Sequence, residues 1–92
     1  MTYSNESKFV ARAGPKTLGN QIVRWAIQLD FSVIRIAKAT GATRQTVYNW
    51  MKGGDVTNAY KERAKSLLEL LRTSPTADEA WRKACRRFNL KD

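Results

Sequence analysis

Histidine is absent from the 92-residue sequence, and cysteine occurs once, at Cys85. A single thiol excludes an internal disulfide. Without a histidine to join it, it also excludes a Cys/His zinc site and any reaction that needs an imidazole base. Acidic residues are scarce too, eight Asp+Glu against seventeen Lys+Arg. They fall mostly at expected helix caps and surfaces, where no nucleophile–base pair can be assembled. Neither an enzyme nor a metal or other cofactor is therefore expected. Two prolines and five glycines are too few for a low-complexity or disordered chain. No apolar run approaches the ~20 residues that cross a bilayer, so no membrane partner is expected. "MTYSNESKFVARAGPK" at the start lacks an apolar signal core. Cys85 reads as a small core residue in a reducing compartment, and a cytoplasmic location is expected.

What is present is a hydrophobic share of 42% and a net charge of +9. The first is enough for one small globular domain. The second favours a polyanionic partner over a merely soluble basic protein. The charge is uneven. Residues 17–54 carry Arg24, Arg35, Lys38, Arg44 and Lys52 against Asp30 alone, whereas 55–74 is nearly balanced.

Residues 1–16 show no sustained periodicity and end in Gly14-Pro15. They read as a flexible basic arm, with Phe9 and Val10 as possible anchors. Lys8, Arg12 and Lys16 on this arm could follow a nucleic-acid backbone or enter a minor groove; a plain tail is the alternative.

From Leu18 the apolar spacing is helical. Leu18, Ile22, Trp25, Ala26 and Leu29 mark a first helix at about 17–29. Ser32 is placed to cap a second at about 33–39, with Val33, Ile36, Ala37 and Thr40 inward, Arg35 and Lys38 outward, and Gly41 as its stop. Thr43 caps a third at about 44–52, ended by Gly53-Gly54. Asp55 or Thr57 caps a fourth at about 58–72, on which Leu70 lies off the apolar stripe and is expected to be exposed. Ser74 as cap and Pro75 at the first helical position start a fifth. Its stripe is Ala77, Ala80, Trp81, Ala84, Cys85 and Phe88, and Asp78, Glu79, Arg86 and Arg87 suit its dipole. The expected fold is all-α, about five helices, with no hairpin signal and no repeat.

"VIRIAKATGATRQTVYNWMK", residues 33–52, describes two short helices joined by a tight glycine turn. Ala37 is small where the next helix must cross closely. Gly41 tolerates positive φ. Val47 and Trp50 anchor the third helix and are assigned to the core. Projected at ~100° per residue, Gln45 and Lys52 point directly away from those anchors. Tyr48 and Asn49 flank them, and Arg44 and Thr46 are lateral. Such a face is ordinarily just solvated. Its chemistry nevertheless suits a major groove, since Gln or Asn bonds adenine bidentately and Arg does so to guanine. Arg44, Gln45, Tyr48 and Asn49 are the candidate base-contacting residues. Ser32, Arg35, Thr43, Thr46 and Lys52 are the candidates for DNA backbone, although the two threonines could do either.

"IAKATGATRQTVYNWMKGG" resembles the helix-turn-helix of the phage repressor/Cro (XRE-like) family. Ala37, Gly41, Val47, Trp50 and the glycine after it match the pattern over about twenty residues, and the five-helix layout extends the likeness more loosely over 17–90. The resemblance implies a lambda-repressor-like DNA-binding domain at 17–92. It further implies a phage- or plasmid-type transcriptional regulator or repressor, in a bacterial or phage-infected cell, that binds double-stranded DNA as a homodimer. Relatives often place Gln at the start of the second helix against a phosphate; Val33 stands there instead, leaving Ser32 or Arg35 to replace it. Relatives also dimerise through later helices, which makes Leu70, Trp81 and Phe88 candidates. "TRQTVYNWMK" also resembles reading helices of transposases and excisionases. Two competing readings follow: an architectural, packaging or recombination accessory protein (excisionase- or small-terminase-like), and a protein-binding antitoxin-type module.

Overall fold

The computed structural model describes residues 17–90, so the arm with Lys8, Arg12 and Lys16 lies outside the described residues, as do Phe9 and Val10. Five helices follow in order: α1 Leu18–Leu29, α2 Val33–Thr40, α3 Arg44–Met51, α4 Asn58–Thr73 and α5 Ala77–Phe88. Among the described residues there is no strand, and the fold is all-α.

Local chemistry sets most of these boundaries. Thr17, Ser32, Thr43 and Thr76 each sit in extended backbone and accept a hydrogen bond from the amide three residues on, at 3.1–3.2 Å. Each such bond satisfies one of the orphan donors of a helix start. At the other ends, α1 stops on Asp30 (φ 63°), with Phe31 N–H donating to Ala26 O at 2.7 Å. α2 stops on Gly41 (φ 81°), whose N–H donates to Ala37 O at 2.9 Å. Helix α5 ends like α1, on Asn89 (φ 56°), with Leu90 N–H on Cys85 O. These are left-handed closures that return the last carbonyls to hydrogen bonds.

Packing joins the five pieces. α4 lies against α1, α2 and α5, while α3 lies against α1 and α2. Ile22, Val23, Ala26, Ile36, Val47, Trp50, Leu67 and Leu71 are all but inaccessible. Phe31, in the connector after α1, is wholly buried and meets Trp81 edge-on at 6.2 Å. That ties the first connector to α5.

Three expectations are corrected. Ser74 and Pro75 do not start α5. Ser74 closes α4 in extended backbone, as the residue before a proline is driven to do, and Thr76 is the cap. Thr76 Oγ1 accepts Glu79 N–H, and this cap takes precedence over the Ser-Pro signal two residues earlier. Leu70 is not exposed, at 8%. The short connector folds α5 back along the flank of α4 that carries Leu70, beside Lys83, Arg86 and Arg87. With Leu70 and Trp81 (4%) in the core, neither offers a dimer surface; Phe88 is half-buried. Of the two proposed caps for α4, Thr57 takes the position but makes no side-chain cap bond.

Candidate nucleic-acid interface

Helix α3 is held from both ends and from beneath. Thr43 Oγ1 accepts Thr46 N–H at 3.2 Å and lies 2.9 Å from Thr46 Oγ1. At the far end the last four carbonyls, the usual orphans of a helix, all have donors. Tyr48 O receives Lys52 N–H (3.3 Å), Asn49 O receives Gly54 N–H (2.8 Å) and Trp50 O receives Gly53 N–H (3.0 Å). Met51 O receives Asn20 Nδ2 (3.1 Å) from the buried face of α1. Gly53 has φ 98°, and a Cβ on Gly54 would meet Asn49 O at 2.9 Å, so both glycines of the pair are needed. Beneath, Trp50 is 1% exposed and packs edge-on to Tyr60. It also rests directly on Gly19, where a Cβ would approach Trp50 Cβ to 2.5 Å.

The opposite face of α3 is open. Arg44, Gln45, Tyr48, Asn49 and Lys52 are exposed, as the helical projection predicts. Tyr48 at 43% and Ile34 at 50% are the large hydrophobic side chains left exposed among the described residues. None of the five outward side chains of α3 makes a hydrogen bond, ion pair or ring contact within the described residues. The first turn of α3 contains no acid. A helix capped at both ends and packed from beneath thus presents two amide- or guanidinium-type pairing groups near its start, an amphipathic ring in the middle and a cation at its end.

The candidate backbone contacts divide. Thr43, Thr46 and Lys52 lie on α3 or at its ends. Ser32 caps α2, where its oxygen is occupied by Arg35 N–H at 3.1 Å. Arg35 belongs elsewhere: its guanidinium lies 5.3 Å from the centre of the Trp81 ring, and Nη1 is 3.3 Å from Asp78 Oδ1. It bridges α2 to α5 and is only about a third exposed (32%).

Several contributors carry little or no signal in the sequence. Ile34 on α2 borders a shallow open groove with Ala37, Lys38, Gly41, Ala42 and Arg44. Arg63 of α4 reaches the same turn, with Nη1 3.7 Å from where a Cβ on Gly41 would stand. Ile34 shows itself only by falling off the apolar stripe of α2. Arg63 has no sequence signal, because its place depends on how α4 crosses the turn. No group of three or more potential ligands among His, Cys, Asp and Glu is gathered in the described residues, and no helix there is long and apolar enough to cross a membrane.

Comparison with family models, with curated proteins and with solved structures finds no match. The class defined by the fold is an all-α, five-helix globular domain, and the reading of α3 rests on its own geometry and chemistry.

Proposed function

We propose that the chain is a sequence-specific double-stranded DNA-binding regulator in which α2 and α3 act as a helix-turn-helix of the phage repressor/Cro type. One observation carries this reading. The outward face of α3, a helix capped at both ends, is free of acid and without partners among the described residues, so Arg44, Gln45, Tyr48, Asn49 and Lys52 have no structural duty to explain them. In docked helix-turn-helix proteins the start of the second helix reaches base edges. Arg44 and Gln45 stand there, with Asn49 and Tyr48 one turn on. Lys52, beyond the last turn, meets phosphate, and Thr43 and Thr46 line the approach. Arg35 is withdrawn from the phosphate contacts because it is engaged with Asp78 and Trp81.

Selection of binding sites from random duplex DNA, with a salt titration, tests this directly. A homodimer, which the resemblance implies, returns a palindrome with half-sites one helical turn apart. Gln45→Ala then costs roughly 1–3 kcal/mol at one base position and relaxes preference there. Lys52→Ala weakens selected and random sequences alike and lowers the salt slope by about one. Identical behaviour of the two variants on selected and random DNA would show that α3 is not the reader.

A further inference from the structure

The cations around α3 do not stop at its ends. Arg63 Nη1 lies against the Gly41 turn. From there the same side chain covers the Phe88 ring at 5.8 Å and borders a groove with Ser66 and Arg87. Arg87 in turn borders the next groove with Lys83 and Arg86, over Leu70. Successive surface features thus share residues, and a cationic track runs from Lys38 and Arg44, past the turn, across one flank of α4 and onto α5. None of Arg63, Lys83, Arg86 and Arg87 has an acidic partner among the described residues. Glu62 is the one acid that lines either of these two grooves. Apolar surface along the track is confined to its grooves: Ile34 is 50% exposed where the track begins, Leu70 is 8% exposed, and Phe88 lies under Arg63. The core of a protein–protein interface is depleted of charged residues, whereas a phosphodiester backbone is met by exposed, unpaired cations.

We infer that this flank of α4 and α5 is a second DNA-backbone contact, engaging phosphates beyond those reached by α3. The inference rests on the α3 reading for the identity of the polyanion, but its residues and its readout are separate.

The opposite flank of α4 supplies the control. Lys61 and Lys65 are also exposed, and helical spacing puts them on the side away from Arg63, Ser66 and Leu70. Arg63→Gln/Arg87→Gln and Lys61→Gln/Lys65→Gln remove the same charge. Affinity for duplexes of about 30 base pairs would be measured across a salt series, on a selected and on a random sequence. The track pair is expected to lower the slope of log affinity against log salt by about two, near 0.9 for each phosphate no longer neutralised, on both sequences and with base preference intact. The control pair is expected to change it by less than half as much. Arg63→Lys/Arg87→Lys should restore the slope, which separates charge from the packing of Arg63 on Phe88. Equal effects of the two Gln pairs would overturn the proposal in favour of net charge, as would an unchanged slope in the track pair, the result expected if this flank served an acidic protein instead. Loss of base preference in Gln45→Ala is the readout of α3. If that fails while the track pair still lowers the slope on random DNA, the α3 reading falls and the second contact stands.

Discussion

Two connectors in this molecule have the same length and the same last residue type, yet they serve opposite designs. Residues 41–43 join α2 to α3 and residues 74–76 join α4 to α5. Each ends in a threonine, Thr43 or Thr76, whose hydroxyl accepts the N–H three residues on at 3.2 Å. After Thr76 come Asp78 and Glu79 in the first turn, with Arg86 and Arg87 in the last, an arrangement that complements the helix dipole at both ends. After Thr43 comes Arg44, a cation at the positive end of a helix with no acid in its first turn. α5 is composed for its own stability. α3 is composed against its dipole and is held instead by the rest of the domain, through Trp50, Asn20 and the glycine pair. A helix that relies on its surroundings in this way leaves its outer face free for another task.

The largest test of that contrast removes the support. Trp50 is the largest of the almost fully buried side chains. Trp50→Ala should cost about 3–5 kcal/mol, the range for truncating a buried aromatic, as read by denaturant unfolding. A loss under roughly 1 kcal/mol would mean that α3 is not anchored there.

Gly19→Ala comes next, and its sign is informative. In an ordinary helical position alanine gains about 0.5–1 kcal/mol over glycine. Here the added carbon would meet Trp50 Cβ and Cγ at 2.5 and 2.6 Å. Overpacking of this kind costs about 1–3 kcal/mol, so the variant should melt lower. A higher melting temperature would show that α1 and α3 do not approach so closely.

These two residues also mark what could be read in the sequence. Ser32, Gly41, Thr43 and the spans of the first four helices were legible because caps and closures act within three or four residues. The alternation of inward and outward positions on α3 was legible because it follows from helical geometry alone. Gly19 was not, since its reason lies in a tryptophan on another helix. The same holds for Asn20, which bonds a carbonyl 31 residues away, and for Phe31, which sits in a connector and shows no periodicity. Arg35 was rightly placed outward, but its capture by Asp78 and Trp81 depends on where α5 rises. At 74–76 two short-range signals overlap, and the Ser-Pro pair is the weaker of them. The candidate site was therefore readable as a face, while the track through Arg63 was not readable at all.

Smaller in effect are the two caps. Thr43→Ala and Thr76→Ala should each cost about 1 kcal/mol of stability, measured by thermal unfolding. Only Thr43→Ala should also weaken DNA binding at a temperature where both variants are folded. Equal binding by the two variants would break the functional half of the comparison while leaving the structural half intact.

The smallest stability change is expected from Arg44→Glu, and there the two properties should move in opposite directions. A carboxylate at the start of α3 complements the helix dipole that Arg44 opposes, and such placements contribute about 0.3–1 kcal/mol. The folded state should therefore gain slightly. DNA affinity should fall by roughly tenfold or more at low salt, because a guanidinium at the base edges is lost and an anion is set among the phosphates. The reverse exchange on α5, Glu79→Arg, should lose a similar few tenths of a kcal/mol without weakening DNA binding. If Arg44→Glu instead destabilises the protein, Arg44 supports the fold and the open face of α3 is smaller than its geometry suggests. If it stabilises the protein and leaves DNA affinity unchanged, the cation at the start of α3 faces nothing that carries phosphate, and the contrast between the two helices must be explained without DNA.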